Sequence, residues 1–107
     1  MIISQQQEVV YMRAYRATSI EGFDVTVFAE SVDEAAGAFH THYEAVMGRA
    51  PPQFTVGRVR RPKPGMKRRH LAEALARGIS GIGYMITGRG WTVIAPDLVV
   101  ALVPQPA

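Results

Sequence analysis

The chain has 107 residues, 48% hydrophobic and 20% charged, with a formal net charge of +3 at pH 7. These values are typical of one soluble globular domain, and they argue against a disordered chain. The chain contains no cysteine, which excludes disulfides, thiolate metal sites and cysteine nucleophiles. Because its start also lacks a signal-peptide pattern, we expect a cytoplasmic location.

The first half of the chain predicts a β-hairpin. Residues 1–7 form a polar leader that we expect to be flexible, residues 8–18 are rich in Val, Tyr and Met, and residues 23–30 alternate in the period of a half-buried strand. Turn residues 19–22 separate the two strands.

A helix is predicted to follow the hairpin. Ser31 and Glu34 form a capping box, and Gly48 with two prolines after it ends the segment. The helix would bury one apolar stripe: Val32, Ala35, Ala36, Phe39, Tyr43, Val46 and Met47. The segment VTVFAESVDEAAGAF resembles parts of many small proteins of phages and mobile elements, but it includes no diagnostic motif and assigns no residue a role.

The second half predicts a strand at 53–61, a loop at 62–65, a helix from about 66 to 77, and two strands at 82–87 and 91–95 around a glycine hairpin at 88–90. The apolar run Leu98–Val103 predicts either a last buried strand or a homodimer contact, and 104–107 a flexible tail. The fold class is therefore one α+β domain, with a mainly antiparallel sheet of five or six strands and two helices on one face, in the order ββαβαββ. No membrane span is expected, because Pro96 and Asp97 interrupt the longest apolar stretch.

Positive charge is concentrated in the middle of the chain, in the segment Arg58–Arg69, which we call the basic block. It contains seven cations and no acid: Arg58, Arg60, Arg61, Lys63, Lys67, Arg68 and Arg69. Residues 1–48 carry two cations and seven acids, so the modest net charge conceals a strongly uneven distribution. Such a cluster indicates an anionic partner.

The start of the second predicted helix breaks a local rule. Lys67, Arg68 and Arg69 occupy its first turn, where the helix dipole favours acids over cations by about 0.3–1 kcal/mol each. Rules of this kind are usually broken at functional sites. Free backbone N–H groups and cations together suit a phosphate group.

Three interpretations of the basic block remain open. The first is a small non-enzymatic module that binds the nucleic-acid backbone, since the block lacks the aromatic residues that base stacking needs. The second is a protein-binding inhibitor or adaptor, of the kind encoded by phages or mobile elements, that docks on an acidic surface or a larger complex. The third is a solvated basic face that keeps an exposed edge from aggregating.

The three histidines indicate a function less strongly than the basic block does. His40 and His42 lie two residues apart on a helix, so their rings cannot share a metal, and no metal or other cofactor is expected. His40 faces Glu44 one turn later. His70 follows the arginines and supports a less favoured hypothesis, a small basic ribonuclease in which Tyr84 or Tyr15 assists it. We expect Trp91 in the core rather than in base stacking.

Overall fold

The first two strands form the predicted hairpin. The computed structural model describes residues 12–60, 68–86 and 90–98. Strand β1 (Arg13–Ser19) pairs antiparallel with β2 (Asp24–Ala29). In the turn, Gly22 has a φ of 93° and donates its N–H to the carbonyl of Ser19 at 2.9 Å. A glycine suits this turn because other residues rarely adopt a positive φ.

Helix α1 (Val32–Met47) begins and ends as predicted. The Ser31 hydroxyl accepts a hydrogen bond from the Glu34 N–H at 3.1 Å, and the Glu34 carboxylate accepts one from the N–H of Glu30. At the other end Gly48 adopts the left-handed conformation and donates its N–H to the Glu44 carbonyl. Both ends are therefore determined by contacts within a few residues.

The remaining elements complete the sheet. They are β3 (Phe54–Arg58), α2 (Arg68–Ala76), β4 (Gly81–Ile86) and β5 (Gly90–Ile94). The strand order is β3-β1-β2-β4-β5, and every neighbouring pair is antiparallel. The predicted α+β class and the order ββαβαββ are confirmed.

Several predicted segments lie outside the described residues. They are the leader at 1–7, the start of the first predicted strand, the loop at 62–65 with the first residues of the second predicted helix, the tip of the glycine hairpin and the tail at 104–107. Of the apolar run Leu98–Val103 only Leu98 is described, and it is exposed. The dimer contact assigned to that run stays a prediction.

The two helices pack on opposite faces of the sheet, which corrects their expected placement on one face. On the first face α1 covers a core that we call the first core: Tyr15, Ala17, Val27, Ala29, Ala35, Phe39, Tyr43 and Ile82. On the second face α2 covers the second core: Ala14, Phe28, Ala74 and Trp91. The reason is visible in β2, where Val27, Phe28 and Ala29 are buried in succession. Since successive strand residues point to opposite faces, both faces of this central strand need cover.

The buried stripe of α1 differs from the predicted one at both ends. Val32, Val46 and Met47 are exposed, whereas His42 is buried. The predicted stripe did not include His42. It lies seven residues after Ala35 and three after Phe39, which is core spacing on a helix.

Two hydrogen bonds satisfy the buried ring of His42. Its Nδ1 lies 3.0 Å from the carbonyl oxygen of Pro96 and its Nε2 lies 3.1 Å from the hydroxyl of Tyr84. A carbonyl can only accept, so Nδ1 carries the proton and Nε2 accepts from Tyr84. His42 thereby joins α1 to β4 and to the segment after β5. His40, by contrast, makes the expected surface pair with Glu44, with 3.0 Å between Nδ1 and Oε1.

Because of the Tyr84 hydroxyl, we expect the fold to lose stability in alkaline solution. Burial raises the pKa of Tyr84 above its ordinary value of 10.0. A raised pKa in the folded state favours folding at pH values below the unfolded pKa, and that contribution is lost as the pH rises through the folded value. We expect the free energy of unfolding of the wild type to exceed that of Tyr84→Phe near neutral pH, and the difference to shrink above pH 10. Urea unfolding at a series of pH values measures it, and a difference independent of pH would contradict this account.

Candidate functional site

An open groove lies between β1 and the edge strand β3. Its volume is about 410 Å³. It is lined by Arg16, Thr18, Thr55, Gly57, Arg58, Val59 and Arg60. Three of these residues are arginines, two carry hydroxyl groups, and no acidic residue is among the lining residues that the structure describes. The groove therefore presents mainly hydrogen-bond donors.

The register of β1 and β3 explains the depression. Gly57 lies opposite Arg16, and Thr55 lies opposite Thr18, so these four residues share the second face. Gly57 has no side chain, and a Cβ added to it would have no heavy atom within 4 Å. The groove is therefore open above Gly57.

Asp24 holds Arg16 in place. The Nε of Arg16 lies 2.9 Å and 2.8 Å from the two carboxylate oxygens of Asp24, and a terminal nitrogen also bonds the carboxylate. The hydroxyl of Thr18 donates to the same carboxylate at 3.2 Å. The hydrogen bonding of Arg16 to Asp24, together with the charge of Asp24, raises the pKa of the Arg16 guanidinium. The carboxylate orients Arg16 but also offsets part of its positive charge.

Arg58 and Arg60 lie at the end of the edge strand. Both are exposed, and neither has an ion-pair partner among the described residues. Arg58 lies opposite Tyr15 and so begins on the first face, yet it also lines the groove. Between the two arginines, Val59 packs against the second core and donates its N–H to the carbonyl of Ala14 at 2.9 Å. The backbone that carries both arginines is therefore anchored.

Helix α2 places further cations on the second face. Its first turn contains Arg68 and Arg69 and no acid, as predicted. The Nε of Arg69 lies 4.0 Å from a carboxylate oxygen of Glu73, and both side chains are more than half exposed, so the pair is weak. Helix α2 packs mainly against β5, at the opposite edge of the sheet from β3 and the groove.

Of the seven predicted binding residues, Arg61, Lys63 and Lys67 lie outside the described residues. The structure brings Arg58 and Arg60 to one groove, and it places Arg68 and Arg69 on a separate element. It adds Arg16, Thr18 and Thr55, which sequence reasoning missed. The alternation of Arg16 and Thr18 with buried Tyr15 and Ala17 was the available signal, because it indicates a polar second face.

The side chains proposed to assist His70 do not lie beside it. Tyr15 is buried in the first core, and the hydroxyl of Tyr84 bonds His42. His70 belongs to α2 on the other face, and a Cβ on Gly90 would lie 3.4 Å from its ring. The structure thus corrects the expected grouping of these tyrosines with His70.

The described part of the chain shows no cluster of three His, Asp or Glu side chains that could hold a metal ion. In the same residues neither helix has the length and apolar content that crossing a membrane requires. Trp91 lies in the second core, as predicted, and its indole N–H has no hydrogen-bond partner among the described residues.

No protein-family model, curated protein or solved structure matches this chain.

Proposed function

We propose that this protein is a small non-enzymatic module that binds the sugar–phosphate backbone of nucleic acid through the groove between β1 and β3. The observation that carries the proposal is the grouping of Arg16, Arg58 and Arg60 around one depression that Thr18 and Thr55 also line. Arginine and hydroxyl donors are the usual partners of phosphate oxygens. As part of the same proposal we place the protein in the cytoplasm, where nucleic acid is available.

Arg68 and Arg69 are further candidate contacts, because the start of a helix favours anions. Helix α2 packs mainly against β5, at the opposite edge of the sheet from the groove, so only an extended ligand that crosses the second face could reach both. If four to six cations contact phosphates, the logarithm of the affinity for a duplex should fall with the logarithm of salt concentration with a slope of about −4 to −5.

The salt dependence of binding tests the proposal. We expect the double variant Arg58→Gln/Arg60→Gln to reduce the magnitude of the slope by about 2, because two phosphate contacts are removed. Fluorescence anisotropy of a labelled random-sequence duplex, from about 50 to 200 mM salt, measures it.

Arg49 provides a matched control for these substitutions. It is an exposed arginine near the β1–β2 turn, where it pairs with Glu21 at 3.1 Å. Arg77, directly after α2, donates a hydrogen bond to the carbonyl of Trp91 at 3.0 Å. Arg49→Gln/Arg77→Gln removes two charges as well, and neither residue lines the groove. We expect this double variant to keep most of the slope. An equal decrease of the slope in both double variants would show that binding depends only on net charge. Failure of the wild type to bind the duplex at low salt would contradict the proposal.

A protein-binding inhibitor or adaptor is the second candidate, and exposed apolar side chains favour it. Ile20 in the β1–β2 turn is 73% exposed, and Val46 and Met47 at the end of α1 are also exposed. The backbone of Ile20 bonds that of Gln53, so the turn lies beside the segment that follows α1. Pull-down from the native host with wild type and with Ile20→Ser/Met47→Ser tests this candidate. A partner protein that binds the wild type but not Ile20→Ser/Met47→Ser would support this candidate. Capture of the same proteins by both would contradict it.

A further inference from the structure

The aromatic side chains that the structure describes are buried or half-buried. Eight of the nine aromatic residues are described, and none of the eight is exposed. Five are buried and three are half-buried: Tyr15, Phe28, Phe39, Tyr43 and Trp91, then Phe23, Phe54 and Tyr84.

The half-buried rings have partners on the first face. The centroids of Phe23 and Phe54 lie 6.0 Å and 4.5 Å from that of Phe39, and Tyr84 lies beside His42. None of these rings lines the groove. Among the described residues, the groove therefore has no aromatic surface on which a base could stack.

This distribution bears on which form of nucleic acid the groove can hold. Proteins that bind single strands combine a basic groove with aromatic rings, because stacking provides much of their affinity. Without such rings, affinity depends on phosphate contacts alone. A duplex carries one charge per 1.7 Å of its axis and holds its phosphates at fixed spacing, whereas a single strand must be ordered on binding.

The donors of the groove are themselves held in place. Arg16 is oriented by Asp24, Thr18 and Thr55 lie on paired strands, and the backbone between Arg58 and Arg60 is anchored through Val59. Donors on a rigid sheet match phosphates on a rigid helix, since little freedom is lost on either side when they meet.

We propose that the groove selects double-stranded nucleic acid over single strands, by contacts to phosphates and not to bases. This inference rests on the proposed function and names the substrate class of the same site. The size of the preference for duplex over single strand follows from counterion release alone. Each contact contributes about 0.9 to the duplex slope and 0.7 to the single-strand slope, so the three arginines of the groove give about a sixfold preference at 50 mM salt relative to 1 M salt.

Binding of the full chain to four matched probes tests the inference. The probes are a duplex DNA, a duplex RNA, and unpaired mixed-pyrimidine DNA and RNA strands of the same length, at one ionic strength. We expect about sixfold tighter binding to at least one duplex than to its single-stranded counterpart at 50 mM salt. We also expect Arg58→Gln/Arg60→Gln to weaken duplex binding and Arg49→Gln to leave the preference unchanged.

The outcomes separate this inference from the function it depends on. Preference for both duplexes supports phosphate recognition in general, and preference for one supports it while identifying DNA or RNA as the source. Equal or tighter binding to single strands that still requires Arg58 and Arg60 overturns the duplex preference and leaves the proposed function standing. Binding to none of the four probes at low salt overturns both.

Discussion

Replacing Gly83 with alanine is expected to destabilise the fold by about 3 kcal/mol, at the upper end of the cost of overpacking a core. A Cβ at this position in β4 would lie 2.4 Å from Cε2 of Phe28 and 3.2 Å from Cε3 of Trp91. Phe28 is fully buried, and its ring packs edge-on against Trp91 at a centroid distance of 5.6 Å. Neither ring can move aside without opening the second core.

Gly57 is the matched control for this substitution. It also lies within a strand, and a Cβ there would meet no heavy atom within 4 Å. We expect Gly57→Ala to change the free energy of unfolding by less than about 0.5 kcal/mol. Thermal unfolding should show a midpoint lower by about 15 °C for Gly83→Ala and almost unchanged for Gly57→Ala. Similar midpoints for the two variants would contradict the packing of Phe28 and Trp91 described above.

Replacing His42 with alanine is expected to cost about 3 kcal/mol, through a cavity in the core and two lost hydrogen bonds. The side chain is buried, and its removal leaves the Tyr84 hydroxyl and the Pro96 carbonyl without this partner. Urea unfolding of the variant measures the loss.

Two further variants separate the contributions of the His42 site. His40→Ala removes a histidine from the same helix but only a surface pair with Glu44, so it should cost a few tenths of a kcal/mol. Tyr84→Phe removes one of the two hydrogen bonds and should cost about 1 kcal/mol. If His42→Ala proves no more damaging than His40→Ala, then His42 does not hold the segment after β5 to α1.

Elements defined by neighbouring residues were predictable from sequence. The limits of α1 follow from Ser31, Glu34 and Gly48, whose contacts span only three or four residues. The β1–β2 hairpin follows in the same way from its turn at Gly22. Caps and turns depend on local backbone geometry, so no knowledge of the rest of the chain is needed.

The strand order and the faces of the sheet were less predictable. An antiparallel sheet with these elements could place β3 beside β1 or elsewhere, and only its pairing with Tyr15 through Ser19 decides this. The assignment of both helices to one face failed because it overlooked the successive burial of Val27 and Phe28 in β2.

By itself the sequence determined that the chain carries a concentrated block of cations, a capped helix and the strands of an α+β domain, since composition and local periodicity are sufficient for each. Only the tertiary structure decided which cations meet. It brought Arg16 beside Arg58 and Arg60, more than forty positions later, and left Arg69 on another element. The physical reason is that pairing between distant strands sets the register, and the register determines which side chains share a face.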